Sequence, residues 1–313
     1  MEIKALLNLL TQIIYILCGL VSISTGIRGL KNEKAKIGTF LFWTILGIIF
    51  IFGEAIPYKV TGGLLVILAI ITVTKQLHIG KFENISSQFK IAQSEKLKNK
   101  IFIPAVLIGI AAFLILQFKI GKAAIPPALG IGGGSLIALL SAAIIIKPKF
   151  SETNEDTSKL LMQIGATAIL PQLLAALGAV FTKAGVGKVI AASISSVVPT
   201  GNIFIGIVIY AIGMVIFTMI MGNAFAAFSV ITAGIGIPFI IKNGGNPAVI
   251  GALGMTAGYC GTLMTPMAAN FNIVPASILE IKDKYGIIKV QAPMALLLLV
   301  THIILMLLLF GVK

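Results

Sequence analysis

The sequence predicts an all-α fold, a polytopic membrane helix bundle of about eight to ten helices with a helical hairpin and a discontinuous helix in the C-terminal third. Its 313 residues are 58% hydrophobic and only 11% charged, whereas a soluble domain carries about 25% charged residues. The apolar residues form uninterrupted runs of roughly 17–25 residues, long enough to cross a hydrocarbon core of about 30 Å. Clusters of Gly, Pro and Asn interrupt the later runs. Together these observations exclude a soluble fold.

Apolar segments follow one another along the chain, and one of them has double length. Their approximate bounds are 5–27, 37–56, 60–74, 101–118, 123–146, 160–182, 203–241, 247–279 and 290–311. Lys and Arg concentrate between them, and the positive-inside rule places linkers 28–36, 75–100 and 147–159 on the cytoplasmic side. We expect an N-terminal membrane bundle at 1–150 and a C-terminal half at 151–313 that carries the hairpin and the broken helix.

The net charge of +14 follows from this topology and does not indicate nucleic-acid binding. The basic residues lie in short stretches between apolar runs, without a basic face interleaved with aromatic residues. The lipid bilayer is thus the expected partner, and nucleic acid is not.

Nothing in the sequence indicates an enzyme or a metal site. Acids are scarce within the segments, and the two histidines, His78 and His302, are far apart in the sequence. Cys18 and Cys260 each lie in an apolar segment, far from a second thiol ligand. Phosphate-binding and dinucleotide-binding motifs are also absent. We expect no catalytic residues, no bound metal and no cofactor.

The double-length segment 203–241 contains Gly222, Asn223 and Ala224 near its centre. Glycine permits the positive φ that a tight tip needs, and the asparagine amide can both donate and accept hydrogen bonds. One interpretation is a helical hairpin whose tip binds a ligand. The other is an ordinary turn between two helices at the membrane surface.

The next segment carries two glycines, a proline, two threonines and two asparagines between Gly258 and Asn272. Such a segment is poorly suited to one continuous helix facing lipid. A discontinuous helix would present carbonyl groups to a small cation and a helix N-terminus to an anion, with Thr262, Thr265, Pro266 and Asn270 at the break. The alternative is a proline-kinked helix whose polar side chains bond to its own backbone.

Glu54 is the acid nearest to the end of an early segment. At that depth a carboxylate could accept a proton or a coupling cation. Pro57 and Lys59 follow it, which favours the alternative of a simple boundary residue.

The order and spacing of the two clusters resemble the second half of the ion transporter superfamily. The resemblance rests on residues 223–227, Pro238, Asn246, Pro247 and residues 263–272. In the divalent anion:sodium symporters of that superfamily, a Ser-Asn-Thr hairpin tip precedes a proline-containing break. Asn223 matches the tip asparagine, whereas Gly222 and Ala224 replace both hydroxyl residues. The resemblance implies that Asn223 orients substrate and that Thr262, Thr265 and Asn270 form the opposing wall.

Over nearly its whole length the chain is similar to a bacterial membrane family catalogued as domain of unknown function 979. Members are often paired with a second small membrane protein, and in some genomes lie near genes of 5-oxoproline metabolism. The resemblance implies a multi-pass protein of the bacterial inner membrane that transports a small organic anion such as 5-oxoproline.

The sequence therefore predicts a secondary transporter, or a half-transporter subunit, coupled to Na⁺ or H⁺. A non-transporting scaffold subunit is the main alternative, and a membrane enzyme is the third. The chain shows one hairpin where transporters of this kind use two, so we expect an oligomer with a second membrane subunit or a second copy.

Overall fold

The computed structural model describes residues 2–82, 91, 94–120, 123–195 and 202–311. These residues are almost entirely helical, which confirms the all-α class. The chain forms two compact units, Met1–Gly165 and Ala166–Lys313. The structural boundary follows helix Phe150–Ile164, which packs against the first helix of the chain, whereas the division at 150 suggested by the sequence precedes it.

The first unit consists of helices and one short pair of strands. They are α1 (Glu2–Gly29), α2 (Lys36–Phe52), α3 (Tyr58–Val73), α4 (Ile103–Gln117), α5 (Pro127–Ile146) and α6 (Phe150–Ile164). Strands β1 (Lys119–Ile120) and β2 (Ala123–Ala124) form a small antiparallel ribbon between α4 and α5, with Lys119 opposite Ala124.

The second unit contains the hairpin and the discontinuous helix. Its elements are α7 (Leu170–Lys183), α8 (Val186–Ser195), α9 (Ile203–Met221), α10 (Ala224–Ile231), a π-helical segment (Thr232–Ile240), α11 (Pro247–Leu263), α12 (Ala269–Ile278) and α13 (Gly286–Leu308).

Within the described ranges, seven helical stretches are long and apolar enough to cross a membrane. They are Ile3–Gly29, Ser94–Gln117, Pro127–Ile146, Phe150–Lys183, Ile203–Met221, Ala224–Asn243 and Gly286–Leu308. Lys36–Phe52 and Tyr58–Val73 are shorter apolar helices. The chain is thus a multi-pass membrane protein.

In the first unit, three predicted linkers meet at one end. Arg28 Nη2 donates to the carbonyl oxygen of Lys81 and bonds to Glu155 Oε1, both at 3.0 Å. Asn32 Nδ2 donates to the carbonyl oxygen of His78 at 2.9 Å. Linkers 28–36, 75–100 and 147–159 therefore present described residues to the same side, as the charge pattern predicts.

In the second unit, α9 and the chain from Ala224 to Asn243 run antiparallel over their full length. Tyr210 and Thr232 share a hydrogen bond of 2.9 Å between their hydroxyls, and Gly206 lies against Phe239 at the far end. Because α9 has 19 residues, the arm is about 28 Å long, so each arm can span the hydrocarbon core.

The core of this unit lies between the hairpin, α11 and α13. It is formed by Ile207, Tyr210, Met214, Met221, Ala227, Ile231, Ile235, Ile240, Ile250, Ala257 and Met306. Helix α11 runs parallel to α9, since Gly254 lies against Tyr210 and Gly261 against Thr218. The break after Leu263 is consequently held level with the hairpin tip.

Candidate functional site

The hairpin tip is a two-residue turn between α9 and α10. Gly222 has φ of 65°, and a Cβ atom there would lie 2.5 Å from the carbonyl oxygen of Met267. Glycine is therefore required both for the left-handed backbone and for the close approach of the tip to the break. The predicted helical hairpin tipped at Gly222 and Asn223 is confirmed.

Asn223 ends the tip and caps the helix that follows. Its Oδ1 accepts hydrogen bonds from the backbone N–H groups of Phe225, at 2.8 Å, and Ala226, at 3.4 Å. This is the standard N-cap arrangement, in which a side-chain oxygen satisfies otherwise unpaired N–H groups of the first turn. The Nδ2 group makes no hydrogen bond to the described residues, so it remains available to a ligand.

The discontinuous helix is also confirmed, because α11 ends at Leu263 and α12 begins at Ala269. The side chain of Asn272 stabilises the break between α11 and α12 through hydrogen bonds to the backbone. Its Nδ2 donates to the carbonyl oxygens of Thr262 and Thr265, both at 2.7 Å, and the residue is fully buried. These two bonds satisfy carbonyl groups that the interrupted helix leaves without an intrahelical partner.

The N-terminus of α12 has no cap. Its N-cap residue, Ala268, has no side chain that can accept a hydrogen bond. The backbone N–H groups of Ala269 and Asn270 have no partner within the described part of the chain. Such a helix end carries a partial positive charge and directs free donors outward, which suits an anion.

A cavity of about 450 Å³ lies where the two helix N-termini meet. Its lining residues are Leu170, Leu174, Gly222, Asn223, Ala224, Phe225, Tyr259, Thr262, Leu263, Met267, Ala269, Asn270 and Phe271. We call this cavity the tip pocket. None of these described lining residues is charged, and most are apolar. The first turns of α10 and α12 both contribute to it.

Five of the residues predicted from the sequence line the tip pocket. They are Gly222, Asn223, Ala224, Thr262 and Asn270. The Thr262 hydroxyl donates to the carbonyl oxygen of Tyr259 at 2.7 Å. Because its proton is used in this bond, the hydroxyl can act toward a ligand only as a hydrogen-bond acceptor. Asn270 is exposed and its side chain has no bond within the described residues.

Three other predicted residues lie outside the lining. The Thr265 hydroxyl is buried and donates to the carbonyl oxygen of Met219 at 2.8 Å, which ties the break to α9. Pro266 is exposed within the break. Glu54 belongs to the first unit, where it occupies an exposed turn after α2, and its role as a coupling acid stays a prediction.

The structure adds residues that sequence reasoning did not select. Leu170 and Leu174 reach the pocket from α7, and nothing in their local sequence marks them. Asn272 had a signal, since an asparagine in an apolar helix is costly unless it is bonded. Two buried oxygens, Asn272 Oδ1 and Thr218 Oγ1, have no hydrogen-bond partner among the described residues.

A protein-family model described as a protein of unknown function, DUF979, matches residues 12–310. The chain belongs to this family. No match was found among the curated proteins or among the solved structures. The DUF979 match confirms the family expected from the sequence, whereas the likeness to the ion transporter superfamily stays a prediction. The family has no assigned function, so the function of this DUF979 protein is inferred from the residues and geometry of the tip pocket.

Within the described parts of this DUF979 chain, no group of three or more His, Cys, Asp or Glu residues is placed to hold a metal ion. The polar groups of the tip pocket are backbone N–H donors, amides and hydroxyls. These groups can bind and orient a solute.

Proposed function

We propose that this protein is a secondary transporter, or one half of one, that carries a small organic anion across a bacterial inner membrane with Na⁺ or H⁺ as the coupling ion. The observation that carries the proposal is the meeting of two helix N-termini in an uncharged pocket at a hairpin tip. Transporters commonly place discontinuous helices so that half-helix N-termini point at an anionic substrate group.

The anionic group would lie against the α12 N-terminus. The N–H groups of Ala269 and Asn270 have no protein partner there, and Asn223 Nδ2 is available on the opposite wall. A helix terminus carries about half an elementary charge, so two of them favour a single negative charge over two. This argues for a monocarboxylate.

The rest of the substrate would lie among apolar side chains. Phe225 and Tyr259 pack edge to face, with ring centroids 6.3 Å apart, and Leu174 lies on another wall. A volume of about 450 Å³ suits a molecule of metabolite size. A cyclic acid such as 5-oxoproline fits this description, and its amide can pair with the amides of Asn223 and Asn270.

A coupling cation would be bound by buried oxygen atoms of α9 and of the region around the break. Asn272 Oδ1 and Thr218 Oγ1 are buried without a partner in the described residues, and Thr218 faces Gly258 of α11. Carbonyl and hydroxyl oxygens at discontinuous helices are typical Na⁺ ligands in secondary transporters. We propose no catalytic role and no other cofactor.

Uptake into proteoliposomes tests the function. The purified protein, with and without its neighbouring membrane subunit, would be given labelled 5-oxoproline and a panel of mono- and dicarboxylates. We expect accumulation of a monocarboxylate that depends on an imposed Na⁺ or H⁺ gradient. Failure to transport any panel member under all conditions would favour a scaffold subunit.

We further propose that the active form is an oligomer, with a second small membrane protein preferred over a second copy. The pocket aromatics Phe225, Phe271 and Tyr259 are 63%, 50% and 38% exposed. Free N–H groups beside them would face lipid in a lone chain, which costs several kcal/mol per group.

The oligomeric state is tested by measuring the mass of the complex in mild detergent. The complex is purified from cells that express this gene alone or together with the gene for the second small membrane protein. We expect a heteromer when both are present, and transport only from that complex. An active homodimer would show that a second copy of this chain can complete the pocket, and that a different partner protein is not required. A fully active monodisperse monomer would contradict the proposal.

A further inference from the structure

A second polar cavity lies in the first unit, at the end of α1. It has a volume of about 480 Å³ and is lined by Arg28, Lys31, Lys81, Ser151, Asn154 and Glu155. We call it the Arg28 pocket. Three cations and one carboxylate give its lining a net charge of +2. Glu33, which pairs with Lys81 from outside the lining, lowers the local excess to +1, so one cation still has no counter-charge.

The guanidinium group of Arg28 is fixed in place by the fold. Nη2 makes both hydrogen bonds, to Glu155 and to the carbonyl oxygen of Lys81, and the Phe82 ring lies 4.7 Å from the guanidinium carbon. Nε and Nη1 have no partner among the described residues. A held guanidinium with free donors is well suited to an oxyanion.

The two lysines differ in what they already bind. Lys81 Nζ pairs with Glu33 at 2.7 Å, and both side chains are exposed. The Lys31 side chain makes neither an ion pair nor a hydrogen bond within the described ranges. Ser151, in the first turn of α6, adds a hydroxyl at a positive helix end.

The position of the pocket along α1 indicates the source of the anion. Helix α1 has 28 residues and is therefore about 42 Å long, which exceeds a hydrocarbon core of about 30 Å. Arg28 in its last turn thus lies at the depth of the lipid headgroups. Basic pockets of this kind between membrane helices bind anionic headgroups.

We propose that the Arg28 pocket binds an anionic phosphate group, supplied by the headgroup of an anionic phospholipid. Arg28 and Lys31 hold the phosphate oxygens, and Lys81 contributes charge from the rim. Free phosphate shares this chemistry and is separated from the lipid by the experiment. The proposal is independent of the tip pocket.

The test uses the full-length protein in detergent. Its thermal unfolding midpoint is measured, and the lipid that it binds is detected by native mass spectrometry. Phosphatidylglycerol and inorganic phosphate are titrated separately. In Lys31→Gln/Lys81→Gln, affinity is expected to fall about tenfold or more, since each lysine near a lipid surface contributes about a fivefold effect. Lys34→Gln/Lys36→Gln is the matched control, because it also removes two positive charges, and both lysines are exposed and do not line the pocket.

Binding of phosphatidylglycerol with little response to inorganic phosphate identifies the headgroup as the source. A comparable response to inorganic phosphate retains the phosphate site and assigns it to a free anion. Equal binding by Lys31→Gln/Lys81→Gln and Lys34→Gln/Lys36→Gln, or no binding of either probe, overturns the proposal.

Discussion

Asn223→Asp is expected to abolish anion uptake while leaving the protein folded. Aspartate caps a helix as well as asparagine does, so the bonds to Phe225 and Ala226 are retained. The new carboxylate, however, places a negative charge beside the bound anion. At about 4 Å and an effective dielectric constant near 20, the repulsion is about 4 kcal/mol, which corresponds to roughly a 100- to 1000-fold loss of affinity. Uptake and equilibrium binding of the transported monocarboxylate measure it.

Asn246→Asp is the matched control for this charge. Asn246 is also an N-cap, and its Oδ1 accepts from Ala248 N at 2.8 Å and Val249 N at 3.3 Å. It lies at the opposite end of the hairpin, where its N–H bonds to Phe310. The control should transport like the wild type. If Asn223→Asp also did so, Asn223 would not belong to the substrate site.

Asn272→Ala is expected to produce the largest loss of stability among substitutions at the break. The change leaves the carbonyl groups of Thr262 and Thr265 buried without a partner, and it opens a cavity at a fully buried position. Each unsatisfied buried group costs about 1–3 kcal/mol, so the total is about 3–5 kcal/mol. A fall of roughly 5–10 °C in the thermal midpoint in detergent would reflect this loss.

Asn270→Ala is the control that distinguishes a loss of stability from a loss of anion binding. It removes a side chain of the same type, two positions before Asn272. Asn270 is exposed and its side chain makes no bond within the described residues, so the thermal midpoint should stay close to that of the wild type. Its amide lines the tip pocket, and anion affinity should fall. An unchanged midpoint in Asn272→Ala would show that the amide does not hold the break.

Much of the architecture was predictable because it depends on local sequence. A run of apolar residues long enough to cross the bilayer needs no distant partner to become a helix, since backbone groups in lipid must pair within the segment. The hairpin tip could also be predicted from the local sequence. A glycine followed by an N-capping asparagine ends one helix and begins the next, as at Gly222 and Asn223.

The orientation of the polar side chains at the break was not predictable. Asn270 and Asn272 are two residues apart, which rotates them by about 200° around a helix. One lines the tip pocket and the other is buried against the carbonyl groups of Thr262 and Thr265. Composition marks both asparagines equally, and only the position of α12 in the bundle assigns each its role.

The sequence by itself thus determined that this protein spans a membrane with helices and that its C-terminal third carries two clusters of helix-interrupting residues, at Gly222 and Asn223 and between Gly258 and Asn272. Only the tertiary structure decided that these two interruptions meet, that Leu170 and Leu174 complete the pocket, and that Thr265 ties the break to Met219. The reason is physical: helix formation follows from local hydrogen bonding and hydrophobicity, whereas a pocket depends on packing between residues that are distant in the sequence.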